Sequence, residues 1–247
     1  MVWEIGVFFL SLFYAGILWF AYSNPANFIW PGIVFFAILF VAMKLITRRY
    51  FNFILPALLA LGTILLLPLI DSRSQANAFA LISAGIFYFA VLGSYRLAKY
   101  DKDKTAKAMG NLAAFAALFA WFASGYGWYL NIQMPIWLLM MIFAAVTFLV
   151  SYVAFRINGL ELNGYQRVLY SVFLAYLIAG TVWIQNSWPF GYLTTGVITL
   201  IIYYSAWDLI STYFLQKLTI KRAIFNLSFM IGASALILVS ARWYPVI

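Results

Sequence analysis

The chain has 247 residues, 66% hydrophobic and 9% charged, a formal net charge of +9, and neither histidine nor cysteine. So apolar a balance excludes an ordinary water-soluble domain. The two missing residue types exclude His-ligated haem, most catalytic zinc sites, thiolate nucleophiles, iron–sulfur clusters and disulfides, so no cofactor and no metal site is expected.

Apolar stretches of about twenty residues recur along the whole chain, and about 30 Å of hydrocarbon needs that length of helix. They predict an all-α fold, a polytopic transmembrane helical bundle forming a single domain over 1–247. The nine spans fall at about 3–22, 28–46, 50–70, 76–96, 108–130, 134–155, 168–186, 190–215 and 223–243. The first opens on Met-Val-Trp-Glu, with no Lys or Arg, and stays apolar to Phe20. A signal peptide has a basic start and a shorter apolar run, so this span reads as a retained helix. In the third span, Pro56 inside and Pro68 near the end predict a bend.

The connections alternate between two kinds. One kind is aromatic and rich in amides and proline, as in the stretches 23–27, 129–135 and 185–189; the other is basic. With the N-terminus inside, the cytoplasmic set is Lys44, Arg48, Arg49, Arg96, Lys99, Lys102, Lys104, Lys107, Arg156, Arg167, Lys217, Lys221 and Arg222, leaving only Arg73 and Arg242 outside. Basic residues concentrate in cytoplasmic loops, so the expected topology is N-in and C-out in a cell (cytoplasmic) membrane. The net positive charge therefore reports topology, and no nucleic-acid partner is expected. Trp19, Trp30, Trp128, Trp137, Trp183, Trp188 and Trp243 all fall near predicted outer ends, where amphipathic rings form an interfacial belt. Two outer hairpins also look alike: Trp128 and Trp183 each precede an asparagine by three residues, with Pro135 and Pro189 following. Alternating spans and loops produce that period even without internal duplication.

Asp208 is the one acidic residue clearly within a predicted span, on the order of 10 Å from the basic end near Gln216. An ionised Asp near mid-membrane costs about 2.5–3.5 kcal/mol on insertion scales, so a partner or a proton is expected there. Lys217 projects from the opposite helix face. Lys44, a turn deeper than Arg48, is better placed, and an arginine of an inner loop is the alternative. Tyr204, Ser205 and Ser211 complete a candidate polar site for a substrate group or an ion. Arg96, Lys99, Lys102, Lys104 and Lys107 are the candidate contacts for anionic lipid headgroups, at about 1 kcal/mol each before Asp101 and Asp103 are subtracted. Those two acids resemble the start of a Ca²⁺ loop, but its glycine and terminal glutamate are missing. Ala113, Ala117 and Ala120 share a helical face, with Ala116 and Ala123 beside it, and small residues let helices approach closely.

No paired-carboxylate motif, HExxH or P-loop lysine is present, and Ser124 before Gly125 lacks the histidine that an intramembrane serine nucleophile needs. The sequence therefore points away from an enzyme. It points to a non-catalytic membrane component, or a subunit of a membrane assembly. Its partners are membrane lipids and, in an assembly, another membrane protein. The alternative is a carrier for a lipid, a lipid-linked molecule or another amphiphilic solute, with Asp208 and Lys44 as its polar gate.

Overall fold

A computed structural model of the chain describes residues 2–24, 29–48, 50–132, 134–159 and 162–241. Arg49, Arg242, Trp243, Gln133 and the loop positions 25–28 lie outside the described residues. Among the described residues there is no strand, and nine helices are long and apolar enough to cross a membrane. The α-helices are α1 (Val2–Ser23), α2 (Ile29–Thr47), α3 (Ile54–Leu66), α4 (Arg73–Lys99), α5 (Lys104–Ile132), α6 (Ile136–Asn158), α7 (Gly164–Gln185), α8 (Tyr192–Phe214) and α9 (Ile220–Ser240), and the third span reaches crossing length only as Phe51–Leu69, with the 3₁₀ turns that flank α3.

Each helix coincides with an expected span, but several start earlier or run longer. The apolar run marks only the part of a helix that avoids water, whereas the helix itself continues to its cap. Asp103 caps α5: its Oδ1 accepts from the backbone N–H of Thr105 at 3.0 Å and of Ala106 at 3.1 Å. Asn163 and Gln166 form a reciprocal capping box at the start of α7. Thr219 accepts from the Arg222 N–H at 3.3 Å and opens α9. The basic stretch 96–107 is consequently not one loop. Arg96 and Lys99 close α4, and Lys104 and Lys107 open α5.

The third span is not a single α-helix. A 3₁₀ turn at Tyr50–Phe53 precedes α3 and another at Leu67–Leu69 follows it. Pro56 stands in the first turn of α3, where its missing N–H forfeits no helical bond, so it helps start the α-helical segment rather than interrupt it. Pro68 sits in the closing 3₁₀ turn.

The residues group into two compact units, Met1–Ala120 and Trp121–Ile247, with the boundary inside α5. In the first unit α1 packs against α4 and α2, and α3 packs against α4. The centre is aromatic. Tyr14 of α1 stacks on Phe87 of α4 at 4.3 Å and on Phe35 of α2 at 5.4 Å, and its hydroxyl bonds Thr63 of α3. Four helices thus meet at one buried tyrosine. Gly93 lets α4 approach α5 so closely that a Cβ there would lie 3.1 Å from both the Ala106 carbonyl oxygen and Met109 Cβ. Ala113, Ala117 and Ala120 are buried, as their shared face predicts.

In the second unit α6 packs along α7, α7 on α8, and α8 on α9. Phe143 of α6 sits between Phe122 and Tyr126 of α5, with ring centroids 4.9 and 5.1 Å away, and its ring covers Gly125. Gly196 of α8 lies against the backbone of Ala123. Burial falls off sharply at α9, where only 6% of the most apolar stretch is covered.

Candidate functional site

Asp208 lies in α8 with its side chain 18% exposed, and both of its carboxylate oxygens are taken by α9. Arg222 donates from a terminal guanidinium nitrogen to Oδ1 at 3.1 Å, and Asn226 donates from Nδ2 to Oδ2 at 3.0 Å. Arg222 and Asn226 are four residues apart, hence on one face of α9.

The turn between the helices creates this register. Gln216 adopts a positive φ of 53°, the Lys217 N–H bonds the Thr212 carbonyl at 2.9 Å, and the Gln216 N–H bonds that of Tyr213 at 3.0 Å. This is a Schellman ending with glutamine in place of the usual glycine. Thr219 then caps α9 at once, so the helices return side by side and Arg222 comes level with Asp208.

The cation at Asp208 is thus Arg222, an arginine of the last basic connection. Lys44 belongs to the N-terminal unit, in the last turn of α2. Asp208, Arg222 and Asn226 line one part of a groove of about 360 Å³ whose other walls are Tyr204, Phe225 and Phe229. The Tyr204 and Phe229 rings meet edge-on at 6.4 Å. Ser205 and Ser211 are buried in α8, with neither Oγ in a hydrogen bond. The Asn226 Oδ1 is also buried without a hydrogen-bond partner, because turning the amide to Asp208 commits its Nδ2 and not its oxygen.

In comparisons with family models, curated proteins and solved structures, nothing matches this chain.

Of the five expected lipid-contact cations, Arg96 is engaged within the protein, its guanidinium 2.7 Å from Asp103. Lys99 lies over the Tyr100 ring, 5.3 Å from the centroid. Lys102, Lys104 and Lys107 follow in the turn and at the start of α5. The Asp103 carboxyl is held below the usual carboxylate range, first by the Ala106 N–H and then by Arg96 and the Thr105 N–H, against a partial opposing effect of desolvation.

A second polar cluster lies inside the C-terminal unit, at the end of the seventh span, and the sequence gives no sign of it. Gln185 ends α7 and is buried; its Oε1 accepts from the Tyr126 hydroxyl of α5 at 2.6 Å and from Thr199 of α8 at 2.7 Å. Nearby, the Tyr129 hydroxyl donates to Asn186 at 2.5 Å, while Asn131 turns back on the Gly127 carbonyl at 2.7 Å. The two asparagines that match in the hairpin pattern therefore serve different contacts. Among the described residues, no group of three or more acidic side chains gathers to hold a metal ion.

Proposed function

We propose that the chain is a multi-pass integral membrane protein of the cell (cytoplasmic) membrane, crossing it nine times with its N-terminus inside and its C-terminus outside. Large exposed apolar side chains support the placement, among them Phe9, Ile33, Leu81, Ile220 and Val239 on helix flanks. Trp19, Trp30, Trp137 and Trp183 are exposed at the helix ends away from the basic connections, as an interfacial belt requires. The distribution of Lys and Arg supports the orientation. Since the chain has no native cysteine, single cysteines at Lys102 and Ser187 give a direct test. In intact cells an impermeant thiol reagent labels Ser187→Cys and spares Lys102→Cys; the reverse pattern refutes N-in.

Within that membrane we assign the chain a non-catalytic role, as a component or subunit of a membrane assembly. The observation that carries this reading is α9. It is fastened to α8 by the Asp208–Arg222–Asn226 contacts, yet it leaves most of its circumference uncovered. Its face turned away from Asp208 bears Ser228, Gly232 and Ala235, all exposed, at the spacing that lets a second membrane helix approach closely. A Cβ on Gly232 would meet no atom within 4 Å. Mass spectrometry of the protein extracted in native membrane discs should find a stoichiometric protein partner. Gly232→Leu should release that partner without altering the melting temperature. Unchanged co-purification would refute α9 as the docking helix.

Carriage of an amphiphilic solute is the second reading, favoured by the groove between α8 and α9. A retained lipid or lipid-linked molecule with no protein partner would move the assignment there.

A further inference from the structure

The groove between α8 and α9 has charges of both signs at one end and aromatic walls along the rest. Arg222 remains 45% exposed while it pairs with Asp208, so part of its guanidinium faces outward. Asp208 is still reachable at 18% exposure, and each carboxylate oxygen can accept more than one hydrogen bond. Asn226 lines the same groove, is 6% exposed, and carries the unpaired Oδ1.

Two opposite charges 3.1 Å apart leave the site close to neutral. An anionic headgroup would be drawn by Arg222 and repelled by Asp208, whereas a zwitterionic one satisfies both. The groove length also fits an amphiphile. Arg222 and Phe229 are seven residues apart, about 10 Å along the helix, so a headgroup at Arg222 lets a chain lie against Phe225 and Phe229.

We propose that this groove binds one phospholipid with a primary ammonium headgroup, of the ethanolamine type. Its phosphate sits on Arg222, its ammonium donates to Asp208, and one acyl chain runs along Phe225 and Phe229. A choline headgroup carries the same charge but no N–H to donate, and a glycerol headgroup lacks the positive charge. The proposal rests on the membrane placement above and holds for either an assembly subunit or a carrier.

The test reconstitutes the full chain in lipid discs containing equal parts of ethanolamine, choline and glycerol phospholipids. Gentle detergent release and native mass spectrometry then read the retained lipid. The expected result is one ethanolamine phospholipid per chain, favoured about tenfold over choline, as one charge-assisted hydrogen bond allows. Asp208→Asn should still retain phospholipid but lose the preference for ethanolamine over choline. Arg222→Gln should lose all three lipids. Phe229→Trp, which narrows the groove and leaves the ion pair intact, should lose the lipid while keeping the melting temperature; it decides the matter if Asp208→Asn fails to fold. Equal retention of the three lipids by the wild type, or undiminished ethanolamine lipid on Phe229→Trp, overturns the proposal. Failure of the membrane placement would look different, because the chain would then not remain with the discs at all.

Discussion

Gly196 offers the sharpest test of the packing in the C-terminal unit. A Cβ added there would stand 2.9 Å from both the Cα and the backbone nitrogen of Ala123, and 3.3 Å from its Cβ. The first two are main-chain atoms of α5, which cannot swing aside as a side-chain tip can. Overpacking of this kind costs about 1–3 kcal/mol. Replacing a helical glycine by alanine returns somewhat under about 1 kcal/mol through reduced backbone freedom and better helix propensity. The net expectation for Gly196→Ala is a loss of up to about 2 kcal/mol. Gly180 and Gly232, in α7 and α9, meet nothing within 4 Å, so Gly180→Ala and Gly232→Ala should instead be neutral or slightly stabilising. Unfolding in mixed detergent micelles, followed by helical circular dichroism, measures all three. A second-site change, Ala123→Gly, should not rescue Gly196→Ala, because it removes only the more distant Cβ contact. Equal stability of Gly196→Ala and Gly232→Ala, or rescue by Ala123→Gly, would refute close main-chain contact between α5 and α8.

Three further outcomes follow from the polar contacts. A double-mutant cycle of Asp208→Asn and Arg222→Gln should show a coupling of about 1 kcal/mol in the same unfolding assay, high for a pair with an exposed partner because Asp208 is mostly buried; strict additivity would count against the ion pair. Gln185→Leu should cost about 1–3 kcal/mol by leaving the Tyr126 hydroxyl without its acceptor, and adding Tyr126→Phe should recover much of that loss. For Asp103 the folded protein favours the carboxylate, so its contribution is complete above the unfolded value of about 3.9 and disappears as pH falls through the depressed folded value. Asp103→Asn keeps a capping oxygen but does not titrate. Amide exchange at the start of α5 should therefore be slower in the wild type near neutral pH and converge with the variant in acid; a constant difference would contradict the linkage.

The helices were legible because their signal is one-dimensional. A run of about twenty apolar residues names a potential span whatever its neighbours are, and all nine expected spans coincide with helices. Their ends were less legible, since Asp103, Asn163 and Thr219 open α5, α7 and α9 by hydrogen bonds that an apolar run does not register. The buried alanine face of α5 was readable from spacing alone, and the same rule applied to Ser228, Gly232 and Ala235 would have marked the bare face of α9. Arg222 was also within reach. Counting outward from Gln216, Asp208 stands eight residues before and Arg222 six after, so an antiparallel pair brings them level. Gln185 carried no such signal, because a glutamine beside a turn looks solvated until Tyr126 and Thr199 are known to close over it.

By itself, then, the sequence determined helix number, approximate span positions, the asymmetry of loop charge and the classes of chemistry that lack their residues. Each of these depends on local composition or on order along the chain. Only the tertiary structure decided that Asp208 meets Arg222 and Asn226, that Gln185 joins three helices, and that Gly196 touches the Ala123 backbone. Those facts depend on which faces of two helices turn toward each other. In a chain that is apolar all round its helices, the hydrophobic pattern does not select a face; close packing and a few polar contacts do.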